Sequence, residues 1–374
     1  MSKDDKGGSC RGAKRRRGCL ILSRRIFLNN PPADGFVAFT CGARAASVPQ
    51  FRRPEVALTI PPAAPAPLRN LSLDALKIVM AVMVVGLHAG FLRDVNQLAS
   101  DYFTNCLFRI AVPTFLVING YYLERQLDRG VWRWAGRLAL LYAIWMALYA
   151  PLWLPGAIRI PAYGREVLFF GYYHLWYLLA LLLAGLMVAA LRARTGVLVL
   201  TGAATFLAGI GIQYAGNFHL APEPLDPLLN RVQTYRNFLL VGYPFLVCGV
   251  LIARHEQKLA RFGSWKLLAG ALALLTAEWA ANMIWNPKDP VFEIYLSLAV
   301  LCPILFLTAK GGRLMGSSRN LGLLATALYL IHIAVLHFTY DVEMGDTLRT
   351  LIGLGVSLAL APLVILANRR LPLL

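Results

Sequence analysis

Residues 69–92 read Arg-Asn-Leu-Ser-Leu-Asp-Ala-Leu-Lys-Ile-Val-Met-Ala-Val-Met-Val-Val-Gly-Leu-His-Ala-Gly-Phe-Leu. A helix that crosses a bilayer needs about 20 mostly apolar residues. This run supplies them while carrying Asp74, Lys77 and His88. Ionisable groups inside a span are costly and by default mark function. Lys77 and His88 lie eleven positions apart, close to a whole number of helical turns, so they share one face about 16 Å apart along the axis. The competing reading is structural, with Lys77 snorkelling to the interface and His88 packed as a core histidine.

Outward from this stretch the chain stays apolar. Of its 374 residues, 58% are hydrophobic and 15% charged, with a mean hydropathy of +0.57. A soluble domain is nearer half apolar and about a quarter charged. Runs of spanning length recur at 71–92, 105–122, 137–155, 172–191, 196–215, 237–253, 267–285, 291–308, 321–338 and 348–368. The expected fold is all-α, a polytopic membrane bundle of about ten helices over residues 69–374.

The net charge of +18 does not point to nucleic acid, because the cations sit in a tail and in short connections between apolar runs. With the N-terminus in the cytoplasm, the cytoplasmic connections and C-terminus hold fifteen cations against three acids, and the opposite connections seven against nine. That asymmetry predicts that both termini are cytoplasmic. Residues 1–68 mix the basic cluster Lys14 to Arg17 with Pro31-Pro32, Pro61-Pro62 and Ala-Pro repeats, and read as a disordered tail attracted at most to anionic lipid. The six cysteines form no CxxC and no metal-like spacing, so neither a disulfide framework nor a metal site follows from them.

Several polar groups share the predicted depth of His88. They are Arg109 on the second span, His174-Leu175-Trp176-Tyr177 opening the fourth, Glu278 on the seventh and His332 on the ninth. A neutral imidazole suits deprotonation of a sugar hydroxyl, its reference pKa being near 6.5. Glu278 or a second histidine can orient it, and Arg109 is the cation available to a developing oxyanion. The structural alternatives are an aromatic-belt role for His174, interhelical hydrogen bonding for His332 and a packing role for Glu278.

Four blocks carry a resemblance. Leu73-Asp74-Ala75-Leu76-Lys77 followed by His88 resembles the basic-residue-x10-His signature of the membrane acyltransferase-3 family. Arg109-Ile110-Ala111-Val112-Pro113-Thr114-Phe115, running into Asn119-Gly120-Tyr121, is similar to its Arg-x-x-Val-Pro-x-Phe…Ser-Gly-Phe pattern. His174-Leu175-Trp176-Tyr177-Leu178 and Ala327-Leu328-Tyr329-Leu330-Ile331-His332 resemble two further recurring blocks. The likeness covers residues 69 to about 370. Two departures stand out: Lys77 where Arg is usual, which replaces a bidentate fork by a point charge, and Asn119 where Ser is commoner.

The resemblance implies O-acylation, usually O-acetylation, of a cell-envelope or surface polysaccharide in the inner membrane of a bacterium. The donor would be acetyl-CoA or another acyl-CoA, with no metal required. The acceptor would be a glycan or lipid-linked saccharide, handled beside glycan biosynthesis or export machinery. His88 would be the catalytic histidine. A channel would then carry the thioester from a donor mouth at Lys77, Arg125 and Arg129 up to His88, with His174, Trp176 and Tyr177 receiving the acceptor. The alternative class is a transporter or flippase for a small polar solute or glycan lipid, since polar groups at mid-depth fit that equally well.

Overall fold

The computed structural model describes residues 68–286 and 291–374; the tail assigned to residues 1–68 lies outside these apart from Leu68. The regular structure of the described residues is helical, apart from one two-residue antiparallel pairing of Arg69–Asn70 with Met315–Gly316. Among the described residues, seven helices are long and apolar enough to cross a membrane: Leu71–Ala89, Gln97–Leu127, Tyr173–Leu191, Thr195–Asn217, Trp265–Trp285, Asn320–Tyr340 and Asp346–Ala367. Two bent pairs, Val131–Leu148 with Ala150–Arg159 (72°) and Phe238–Arg254 with Glu256–Phe262 (98°), bring the number to nine if each pair is one span. The chain is a multi-pass all-α membrane bundle.

The eighth expected span, 291–308, is only partly a helix. Residues 291–297 are irregular, and the helix Leu298–Lys310 has 13 residues, about 20 Å at 1.5 Å per residue, against a hydrocarbon core of about 30 Å. Irregular backbone at membrane depth is tolerated only where protein satisfies its polar groups, and here three distant side chains do so. Gln213 accepts from the N–H groups of Glu293 (2.8 Å) and Ile294 (3.0 Å) and donates to the Ile294 carbonyl (2.7 Å). Asn217 donates to the Val291 carbonyl (2.9 Å). Glu278 accepts from the N–H groups of Leu296 (2.7 Å) and Ser297 (2.8 Å), just before the helix begins.

Two further devices position the site. Asn70 caps the 71–89 helix by accepting from Leu73 N–H (3.1 Å) and ties it across to the Lys310 carbonyl (2.7 Å); a cap of this kind contributes about 1 kcal/mol. Gly120 and Gly249 bring helices 111–127 and 243–254 into backbone contact. A Cβ on Gly120 would lie 2.1 Å from the Leu246 carbonyl oxygen, and one on Gly249 2.1 Å from that of Val117. Small residues at such crossings let membrane helices pack closely without a hydrophobic driving force.

Candidate active site

Three imidazoles cluster near one end of the bundle, their rings tilted against one another. His88 stands in the last turn of helix 71–89, which Gly90 ends in a left-handed conformation (φ 75°). Its ring centroid is 5.3 Å from that of His332, which is 4.8 Å from that of His174. His332 and His174 are fully buried, whereas His88 is partly exposed to a cavity of about 60 Å³. The Nδ1 of His332 lies 2.6 Å from the Tyr329 carbonyl. A carbonyl only accepts, so in the neutral ring Nδ1 carries the proton and Nε2 the lone pair. That Nε2 is buried without a hydrogen-bond partner among the described residues.

The same cavity is lined by Arg109, Arg236, Glu293 and Trp176. Gly86, two residues before His88, admits the turn that carries Arg109, since a Cβ there would meet the Phe108 ring at 2.7 Å. One oxygen of Glu293 binds both guanidinium groups, Arg109 at 2.5 Å and Arg236 at 3.1 Å. Arg109 also donates to Asn105 (3.1 Å), and its Nε is buried with no partner among the described residues. Arg236 lies over the Trp176 ring, 5.4 Å from its centroid. Tyr173 takes a left-handed backbone (φ 44°), at a cost of about 1–3 kcal/mol, and its exposed ring lies 6.2 Å from that of His88.

A second cavity, of about 210 Å³, lies towards Lys77 and shares no lining residue with the first. Phe115, Tyr177 and Tyr329 line it, packed together with ring centroids 5.6–6.2 Å apart. Tyr329 reaches beyond it, its ring 5.2 Å from His174 and 6.0 Å from His332 and its hydroxyl donating to the His174 carbonyl (2.7 Å). Where the sequence predicts one continuous channel the structure shows two separate cavities, and Tyr329, from the wall of the second, packs against His174 and His332. Asn119, the departure from the family's Ser, donates to the Phe115 carbonyl (2.9 Å) and the Tyr177 hydroxyl (2.7 Å), fixing two members of that layer.

The structure thus brings together His88, Arg109, His332, His174 and Trp176. Tyr177 belongs instead to the Lys77 cavity. Lys77 lies 3.5 Å from Asp74 and over the Tyr122 ring. Arg125 is exposed and reaches towards Glu256 (3.7 Å), and Arg129 is exposed; neither lines that cavity. Glu278 does not line the His88 cavity; its two oxygens accept from the Leu296 and Ser297 N–H groups. Sequence reasoning missed Glu293 and Arg236. Arg236 counts as an ordinary connection cation, and Glu293 hides inside an apolar run; a carboxylate within a predicted span was the available signal.

Comparison with known proteins supplies the rest. The acyltransferase-3 family model, described as an acyltransferase domain, matches residues 70–366. An amino-acid racemase of Enterococcus faecalis is 25% identical over 331 residues, 81% of this chain and 47% of that protein. A serine/alanine racemase of Enterococcus gallinarum is 25% identical over 295 residues, 72% of this chain and 42% of that protein. The chain spans less than half the length of these curated relatives. No solved structure matches it.

Proposed function

This chain belongs to the acyltransferase-3 family, and from that premise we propose that it is a membrane O-acetyltransferase. It moves an acetyl group from acetyl-CoA in the cytoplasm to a hydroxyl of a cell-envelope glycan, in the inner membrane of a bacterium. The observation that carries this reading is the position of His88, the one imidazole of the cluster that lines the chamber holding Arg109 and Glu293.

In this reading His88 takes the proton of the acceptor hydroxyl, whose oxygen attacks the thioester carbonyl. The C–S bond breaks, and the thiolate recovers a proton from the imidazolium, leaving an ester and a free thiol. General-base catalysis of this kind contributes about 10²–10⁴-fold. His332, its Nδ1–H held by the Tyr329 carbonyl, backs His88 with its ring centroid 5.3 Å away. Arg109, immobilised by Glu293 and Asn105, offers its unpartnered Nε–H to the oxyanion. Lys77 receives the donor's phosphates as a point charge, with Arg125 and Arg129 at the same end of the bundle. The donor's arm then reaches His88 only when the layer of Phe115, Tyr177 and Tyr329 parts.

The test is hydrolysis of acetyl-CoA by the protein purified in detergent. Slow hydrolysis by the wild type and its loss in His88→Ala, with the variant folded, are the expected results. A wild type that neither binds nor hydrolyses acetyl-CoA removes the reading. It would favour a transporter or flippase, a class with which two separate chambers also agree.

A further inference from the structure

Among the described residues neither nitrogen of the His88 ring makes a hydrogen bond; the ring is flanked by those of His332 and Tyr173. Its place in the chamber is therefore set largely by the backbone that carries it. That backbone is a helix end, where the last four carbonyls lack intrahelical partners. The Gly86 carbonyl accepts from the N–H groups of Gly90 and Phe91. The carbonyl of His88 itself accepts from the Tyr340 hydroxyl (2.9 Å). Beyond it the chain turns through left-handed conformations at Gly90 (φ 75°) and Leu92 (φ 64°). A non-glycine residue stays in that region only where its surroundings hold it there.

Tyr340 ends helix Asn320–Tyr340, which also carries His332. One helix thus meets His88 twice, with an imidazole against its ring and a hydroxyl on its carbonyl. Tyr340 is held in turn. The guanidinium of Arg349 lies over its ring, 5.2 Å from the centroid, and that largely buried arginine pairs with Asp346. Asp346 also binds Arg93 (2.7 Å), while Asp94 accepts from the N–H (3.0 Å) and the hydroxyl of Thr347. Arg93 and Asp94 belong to the turn that follows His88, so the contacts close on themselves: His88, Tyr340, Arg349, Asp346, Arg93 and back along the chain. Half-exposed ion pairs contribute little singly. Together they fix where one hydroxyl points.

We propose that Tyr340 is a positioning residue for His88. Its hydroxyl, anchored through Arg349 and Asp346, holds the end of helix 71–89 so that the imidazole stays against His332 and faces the chamber. The inference rests on the acyl-transfer reading and adds to it a residue that acts only through His88. Displacing a catalytic group by about 1 Å can cost about 100-fold in rate. Loss of one neutral hydrogen bond corresponds to about three- to ten-fold, and the smaller figure applies here because the packing around the ring remains.

The test compares the wild type with Tyr340→Phe, each as the full chain in detergent. Hydrolysis of acetyl-CoA gives kcat and KM. Carbethoxylation by diethyl pyrocarbonate, followed by mass spectrometry, reports each imidazole separately. Tyr340→Phe should lower kcat about three- to ten-fold and leave the KM for acetyl-CoA and the melting temperature nearly unchanged. It should also speed modification of His88 relative to the exposed His337, because a ring freed from His332 is more open to the reagent. An unchanged kcat overturns the proposal. So does a lower kcat with His88 modified at the wild-type rate, since the effect would not then pass through His88. Faster modification of the buried His174 and His332 with a lower melting temperature overturns it too, making Tyr340 a stability residue. Wild-type hydrolysis with an indifferent Tyr340→Phe removes the tether alone. Absence of wild-type hydrolysis removes the acyl-transfer reading, and the modification rates then still decide whether the hydroxyl holds His88.

Discussion

The imidazoles of His88 and His332 lie with ring centroids 5.3 Å apart, although 244 positions separate them in sequence (332 − 88). One is partly open to a chamber and the other is fully buried, so the second can act only through the first. His332→Phe keeps the ring's shape and removes both nitrogens. It should lower kcat by about 10²-fold, within the range for general acid–base effects, leave the KM for acetyl-CoA unchanged and alter the pH profile of kcat/KM. A Phe variant with the wild-type profile would make His332 a packing residue.

Glu293 holds two guanidinium groups with one oxygen. Removing one partner of a buried ion pair typically costs about 3–5 kcal/mol, because the other charge is left uncompensated. Glu293→Gln should therefore unfold at a clearly lower temperature in detergent and lose turnover. Arg109→Lys, which keeps the charge but not the planar fork, should lose turnover with less effect on stability. Unchanged melting of Glu293→Gln would show that the pair is solvated.

Lys77 stands in a different chamber from His88, so its loss should act on donor binding and not on chemistry. Lys77→Ala is expected to raise the KM for acetyl-CoA about ten-fold or more, the loss of one charge-assisted contact, with kcat nearly unchanged. Lys77→Arg should retain activity. A fall in kcat alone in Lys77→Ala would contradict the assignment.

Gly120 has no room for a methyl group, since a Cβ would stand 2.1 Å from a backbone oxygen that cannot rotate away. Overpacking a tight core usually costs about 1–3 kcal/mol, and the backbone contact places Gly120→Ala at or above the upper end. A thermal unfolding series with Gly130→Ala as the comparison would check this. Gly130 has open space around it but a φ of 117°, so it isolates backbone strain from steric overlap.

The helices and the imidazole cluster were legible because a spanning run interrupted by an ionisable residue is conspicuous in a sequence. Lys77, His88, Arg109 and His332 all stand out that way. The segment 291–297 was not legible. Its apolar composition reads as a span, while the groups that let it stay irregular, Gln213, Asn217 and Glu278, are supplied by two other helices. The same long-range arrangement concealed Glu293 and set Glu278, read from the sequence as a candidate catalytic carboxylate, on the backbone leading into helix 298–310. Arg236 resembled any connection cation until the fold set it over Trp176.

The glycine seam between helices 111–127 and 243–254 also assigns the moving parts. Phe115 rides on a helix pinned backbone to backbone by Gly120 and Gly249, so it is the fixed jamb of the partition between the chambers. Tyr177 and Tyr329, the other two members of the layer, are held by side-chain hydrogen bonds alone, to Asn119 and to the His174 carbonyl. Under the acyl-transfer proposal, displacing Tyr329 would break its hydrogen bond to the His174 carbonyl, so passage of a donor's arm would be coupled to the setting of the buried imidazoles.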